Sequence, residues 1–290
     1  MNSKPAVKSG LLNVLKPPGM TAHDVVAALR RRLGTKKVGH AGTLDPVATG
    51  VLPVAVGTAT RLLPYLRSGK EYLAEIQFGV STSTGDCEGE ILAEEDCAFD
   101  RAALTAVLPR FRGPIQQRPP MVSAVHYQGR RLYELAREGI VIEDLPLRDV
   151  TIEALELVEF TPGARPKALL RVACSAGTYI RSLAIDLGAA LSCPASLAFL
   201  LRTRAGDFDL DGAFALDEDI RYAAEDDYLA HLTRRDASSE DAQAIGYGRT
   251  LPVQGEPEGA LVRVHAPDRL LAVYERRGEL LHPRTVFPAT

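Results

Sequence analysis

The 290-residue sequence predicts an α/β chain of the α+β kind, with helices and strands interleaved and a β-rich end. Three observations carry this reading. A capped helical period covers residues 22–33, a two-residue alternation covers 71–78, and beyond residue 240 short apolar segments are divided by Gly or Pro. Taken in order, Thr21 is placed to cap the first helix, with Asp24 three residues on in capping-box spacing. Val25, Val26, Leu29 and Leu33 form its apolar face and Gly34 ends it. Leu52-Pro-Val-Ala-Val reads as a buried strand. Over 71–78, Tyr72, Ala74, Ile76 and Phe78 share one face while Glu71, Glu75 and Gln77 share the other, the pattern of a half-buried strand. Asp100 is expected to cap a helix that ends near Pro109. Arg118-Pro-Pro-Met121 interrupts regular structure, and a basic, aromatic stretch at 126–133 leads into a short helix stopped by Gly139. Strands are expected over 150–160 and 168–175. Thr178 is then expected to cap a helix that buries Ile180, Leu183, Ala184, Leu187 and Leu191. The acidic segment 216–235 reads as helix and linker, and apolar segments near 261–264, 270–273 and 280–281 read as a small β module.

Composition excludes several classes. With 46% hydrophobic and 24% charged residues the chain is an ordinary globular one. No apolar run reaches the roughly 18–20 residues of a membrane span, and the opening Met-Asn-Ser-Lys-Pro has no signal-peptide core, so a cytoplasmic protein is expected. Cys87, Cys97, Cys174 and Cys193 form no C-x-x-C pair, which argues against structural zinc. They are expected as free thiols, with Cys174 and Cys193 in the core. The net charge of −3 conceals segregation. Residues 1–70 hold eleven Lys/Arg against two acids, whereas 71–100 hold nine acids and no base. A polyanion-binding face on an acidic protein has this form, as does charge that segregates in sequence but not in space.

The segment Gly39-His40-Ala41-Gly42-Thr43-Leu44-Asp45-Pro46 concentrates the chemistry. Glycines free the backbone, and Pro46 biases Asp45 toward extended geometry, so one carboxylate is presented on a shaped loop just before a rigid strand. An ordinary Asp-Pro turn would look the same over these eight residues. Gly34-Thr-Lys-Lys-Val-Gly39 has the glycine spacing of a phosphate-binding P-loop. It lacks the following Lys-Ser/Thr, so that reading fails.

Further segments turn the pattern into a resemblance. Gly39 to Pro53, Lys70-Glu-Tyr72, Tyr127-Gln-Gly-Arg-Arg-Leu-Tyr133, Cys174-Ser-Ala-Gly-Thr-Tyr-Ile-Arg-Ser-Leu183, Asp186-Leu-Gly188, Leu200-Leu-Arg-Thr-Arg204 and the opening Lys16-Pro-Pro-Gly-Met-Thr21 resemble the tRNA pseudouridine synthases of the TruB family, in order and spacing across residues 11–210. The resemblance implies a pseudouridine synthase fold, a mixed and largely antiparallel sheet flanked by helices with the site in a central cleft. It implies a catalytic domain over 1–235 with an RNA-contacting insertion at about 117–147. Over 236–290 there is only a loose likeness to a PUA-like module.

The implied activity is isomerisation of the T-loop uridine at tRNA position 55, with tRNA as partner, no cofactor, no metal, no membrane and no obligatory protein partner. Asp45 matches the single catalytic aspartate, Arg181 its ion-pair partner, and Tyr72 the aromatic that stacks on the flipped base and helps move a proton. His40 matches the histidine that fills the vacated stack, Tyr179 and Leu200 the pocket walls, and Lys16, Arg130 and Arg131 are expected on phosphates. The chain departs from the family at Ala22-His23, where serine is common, and at Ala41 and Thr43, which stand where Thr and Ala are usual. A non-catalytic RNA-folding protein on the same scaffold is the competing reading, and Asp45 discriminates between them.

Overall fold

The computed structural model describes residues 8–287, apart from 124, 141 and 143. Alternating apolar residues build one large sheet from β1 (Gly10–Lys16), β2 (Thr49–Val56), β3 (Lys70–Phe78), β4 (Gly113–Gln117), β5 (Arg148–Thr161), β6 (Lys167–Cys174) and β7 (Ala195–Ala205). In space the order is Tyr222–Ala223, β1, β2, β7, β3, β6, β5, β4, with Val38–His40 added to β2 and Phe208–Asp209 to β7. Every pair is antiparallel except β2 with β7, which run parallel through Thr49–Leu201 and Gly50–Arg202. At this seam Gly50 has φ +116° and a Cβ would collide with the Arg202 backbone, so only glycine lets the two strands meet.

The helices α1 (Ala22–Leu33), α2 (Arg101–Val107), α3 (Leu132–Arg137) and α4 (Ile180–Ala190) follow from their caps and periods. The Thr21–Asp24 capping box and the left-handed Gly34 bound α1 as its sequence predicts. Val25 and Leu29 of α1 pack on Val14, Leu52 and Val54, while Leu183 and Leu187 of α4 pack with Ile76, Phe78 and Leu170. At α4 the expectation is corrected. Tyr179 occupies the N-cap with no side-chain cap, and the Thr178 hydroxyl instead donates to the Ser175 carbonyl at 3.0 Å.

Segment 216–235 also differs from its expectation. Its one helix is the single turn Glu225–Tyr228, because Tyr222–Ala223 pairs with the edge of the large sheet. Thr233–Asp236 (β8) joins a second sheet with β9 (Leu261–Ala266), β10 (Arg269–Arg277) and β11 (Leu280–Val286). That second sheet therefore begins ahead of residue 236. Val273 and Leu270 of β10 pack with Leu11, Val51, Leu62 and Leu229, which joins the C-terminal module to the back of the large sheet.

The cysteine expectation is corrected as well. Cys97 and Cys193 form a disulfide with Cα atoms 5.9 Å apart, leaving Cys87 exposed and Cys174 buried as free thiols. The bridge fastens the loop before α2 to the turn after α4. In a reducing compartment the same residues would stand as two buried thiols in contact. Denatured, oxidised protein should therefore yield two titratable thiols, rising to four after reduction. Closing a 96-residue separation should contribute about 4–5 kcal/mol by chain entropy, read as a lower urea midpoint on reduction. Four thiols without reductant would mean that the pair is not bonded.

Candidate active site

Asp45 sits at the tip of the loop joining the Val38–His40 strand to β2, held by Ala48 N–H on its carbonyl at 3.1 Å and by Gly19 N–H on the Pro46 carbonyl at 2.8 Å. Its carboxylate, about one third exposed, accepts Nε–H of Arg181 at 3.0 Å. Arg181 enters from the first turn of α4 and is 3% exposed, so its other donors need partners. They find the carbonyls of Thr84 at 3.0 Å and Val122 at 2.8 Å. A second carboxylate, Asp86, stands 3.6 Å from the same Nε and is fixed by Thr84 Oγ1 and the Glu88 N–H. The sequence reading missed Asp86. It lies in an acidic turn whose charges look solvated until the turn is folded against α4.

Asp45 and Arg181 line a cavity of about 350 Å³ together with Tyr72, Leu200, Tyr179 and Lys70. Tyr72 is buried on β3, and that burial pushes its phenol up to about 12 against an opposing pull from Arg202. Tyr179 is clamped by Gln117, whose amide donates to the Tyr179 carbonyl at 3.3 Å and accepts its N–H at 2.9 Å. Burial raises the Tyr179 phenol too.

Other predicted residues lie elsewhere. His40 is outside the cavity lining, edge-on to His23 with ring centroids 6.1 Å apart, and its buried Nδ1 has no hydrogen-bond partner among the described residues. Burial is the first cause of its lowered pKa, followed by His23 and Arg202. Arg130 and Arg131 are exposed on the insertion, where Arg130 pairs with Glu138 at 2.5 Å and Arg131 lies over the Tyr133 ring. Lys16 corrects its expectation. It is fully buried, and its ammonium donates to the carbonyls of Pro17, Met20 and Pro46 at 2.8, 2.5 and 3.2 Å. It ties the Asp45 loop to the turn before α1 instead of facing solvent.

Arg202 is the other residue that sequence reasoning passed over. It is 0% exposed, and it donates to the carbonyls of Val51 at 2.7 Å, Thr43 at 3.1 Å and Gly42 at 3.2 Å. The available signal was its spacing. Leu200 and Arg202 share a strand face, so an arginine two residues from a pocket wall points inward.

Against this geometry, residues 30–180 match the model of the TruB family pseudouridylate synthase N-terminal domain. A tRNA pseudouridine synthase B of Synechococcus sp. is 47% identical over 289 residues, covering 97% of this chain and 98% of that one. That of Symbiobacterium thermophilum is 56% identical over 211 residues, covering 72% and 70%. A solved Cbf5-Nop10-Gar1 complex superposes with TM-score 0.72 at 28% identity, covering 96% of this chain and 85% of the other. The fold is that of a pseudouridine synthase. The chain belongs to the TruB family.

Two outcomes follow from the anchors of the loop. Arg202→Met removes a buried side chain that donates to three carbonyls, those of Val51, Thr43 and Gly42, and should cost about 2–4 kcal/mol in urea unfolding, with a loss of single-turnover rate larger than the loss of RNA affinity. An unchanged midpoint would show that the loop holds itself. For Lys16 the ordinary ammonium value of 10.5 falls to about 8 in the fold because burial outweighs the attraction of Asp45. Between pH 8 and 10.5 the unfolded chain then binds more protons than the native one, so wild-type stability relative to Lys16→Met should rise across that window. A flat difference would place the ammonium in water.

Proposed function

We propose that this protein converts the T-loop uridine at position 55 of tRNA to pseudouridine, with Asp45, Tyr72 and Arg181 as its catalytic residues. The observation that carries the reading is the Asp45–Arg181 pair at the wall of a base-sized cavity, in a chain of this family. Flipping a nucleotide out of its stack costs a few kcal/mol, which contacts inside the pocket must repay. Leu200 and Tyr72 give the uracil an apolar and an aromatic wall, and Tyr179 lines the mouth.

With the base seated, the Asp45 carboxylate faces the sugar–base junction while Arg181 holds it in one rotamer. The C1′–N1 bond breaks, the uracil turns, and a C1′–C5 bond forms. The proton on C5 leaves as N1 gains one, so atoms and electrons balance without a co-reactant. Tyr72 keeps its proton at neutral pH, which suits a hydrogen-bond donor to the rotating base. The exposed Arg130 and Arg131 of the insertion are phosphate contacts in this reading, and His40 fills the stack that the target base leaves. A tRNA-modifying role places the protein in the cytoplasm. Among the described residues no helix is long and apolar enough to cross a membrane.

The test is incubation with an unmodified tRNA transcript in EDTA, followed by nuclease digestion and chromatographic mapping of pseudouridine. Conversion should be confined to the T-loop uridine. Asp45→Asn should lower the rate by at least about 10³-fold with RNA affinity kept within several-fold, and Tyr72→Phe by about 10²-fold. Tight binding without conversion by the wild type would favour an RNA-folding protein. Loss of affinity together with rate in Asp45→Asn would make the loop structural only.

A further inference from the structure

The Lys70-Glu-Tyr72 motif enters the mechanism only through Tyr72, yet Lys70 lines the same cavity as Asp45, Tyr72 and Leu200. The strand puts it there. Residues two apart on β3 share a face, so Lys70 projects to the side of Tyr72, while Glu71 and Glu75 project to the other. Those two carboxylates already have cations, Arg171 on Glu71 at 2.7 Å and Lys167 on Glu75 at 3.1 Å. The strand itself keeps Lys70 from both.

Among the described residues the Lys70 ammonium has no hydrogen-bond acceptor and no carboxylate within ion-pair distance. Asp45 lines the cavity too, but its ion pair is with Arg181 at 3.0 Å. Lys70 is half-buried, and burial is the first cause of its lowered pKa, followed by Arg202, against a smaller opposing pull from Cys174. At Gly42 of the Asp45 loop a Cβ would stand 3.1 Å from Lys70 Cε and 3.4 Å from its Nζ, so the glycine leaves the room that the ammonium occupies. A cation held out of water without a counter-ion lowers stability. The cavity that it lines is where a bound group can supply the missing charge.

We propose that Lys70 is a further catalytic residue, whose ammonium donates to a carbonyl oxygen of the uracil and stabilises the anion formed as the base leaves C1′. This role rests on the functional reading above and deepens it. When the C1′–N1 bond breaks, its electron pair stays with the uracil, spread over N1 and the carbonyl oxygens, while C1′ faces the Asp45 carboxylate. The charge on the base is neutralised when C5 bonds to C1′, and the C5 proton then leaves as N1 gains one. Lys70 keeps its own proton throughout. Its ammonium gains a full counter-charge only between the two bonds, so the interaction favours the transition state over the bound uridine.

The experiment compares full-length wild type with Lys70→Met in single turnover, on T-arm hairpins that carry uridine or 5-fluorouridine at the target. Consumption of the target nucleoside, read by nuclease digestion and chromatography, reports cleavage of C1′–N1 in both. Fluorine withdraws charge from the departing base, so that substrate needs the ammonium less. Lys70→Met should slow the uridine reaction about 10²-fold and the 5-fluorouridine reaction about tenfold or less, with hairpin affinity kept within several-fold. Its thermal midpoint should hold or rise, because an unpaired charge gives way to an apolar chain of similar length. Equal losses on the two substrates, or an affinity loss as large as the rate loss, would overturn the assignment. So would a lowered midpoint, which would give the ammonium a structural partner. In each of these cases wild-type conversion of uridine leaves the enzyme reading standing. Absence of wild-type conversion would overturn both.

Discussion

The site depends on the burial of the Arg181 guanidinium. A cation removed from water is tolerable only when its donors are taken up, and no single segment of this chain can supply them all. Asp45 comes from the loop before β2, Thr84 and Asp86 from the acidic turn after β3, and Val122 from the insertion. One side chain at the head of α4 therefore draws together three stretches spread over some eighty residues of sequence. The Asp45 carboxylate is one of the partners that this demand recruits. Its geometry is secured by the same hydrogen bonds that close the fold around it.

Arg202 has a complementary part. Its backbone acceptors are neutral carbonyls, two of them in the Asp45 loop, and among the described residues no carboxylate pairs with it. The positive field that remains opposes protonation of Lys16, His40 and Lys70 and favours ionisation of Tyr72. A chain with a net charge of −3 thus presents a cationic interior at the point where a phosphate backbone would arrive. Affinity for a polyanion is a local property here, set by a few buried and half-buried cations, and the global charge does not measure it.

Rigidity is distributed to match. The loop that carries Asp45 is pinned from both sides, by Lys16 beneath the turn before α1 and by Arg202 beneath the parallel seam of β2 and β7. The insertion is held more lightly. Its short α3 packs through the small cluster of Leu132, Leu135 and Leu145, and it meets the rest through contacts such as Ser182 Oγ on the Arg118 carbonyl. In the proposed reading this segment admits a folded RNA, and the less deeply packed part of the fold suits that role.

The sequence by itself determined the local elements and the reactive loop. The Thr21–Asp24 box, the 71–78 alternation and the Gly-Pro framing of Asp45 depend on neighbours within a few residues, where backbone preference and periodicity act. It also carried the Asp45, Tyr72 and Arg181 constellation, through motifs whose residues are close in sequence even though the motifs are not. Only the tertiary structure decided what long-range packing decides. Lys16 read as a phosphate contact and Arg202 drew no reading of its own, because isolated charges usually remain in water, and the burial of Arg202 follows from the seam that pairs it with Gly50. Asp86 was hidden in an acidic turn, Thr178 lost its cap to the backbone path of Tyr179, and 216–235 kept only one helical turn beside a strand edge. The Cys97–Cys193 contact joins positions 96 residues apart with no local signature at either end. In each case the deciding partner lies far along the chain, where no local pattern reports it.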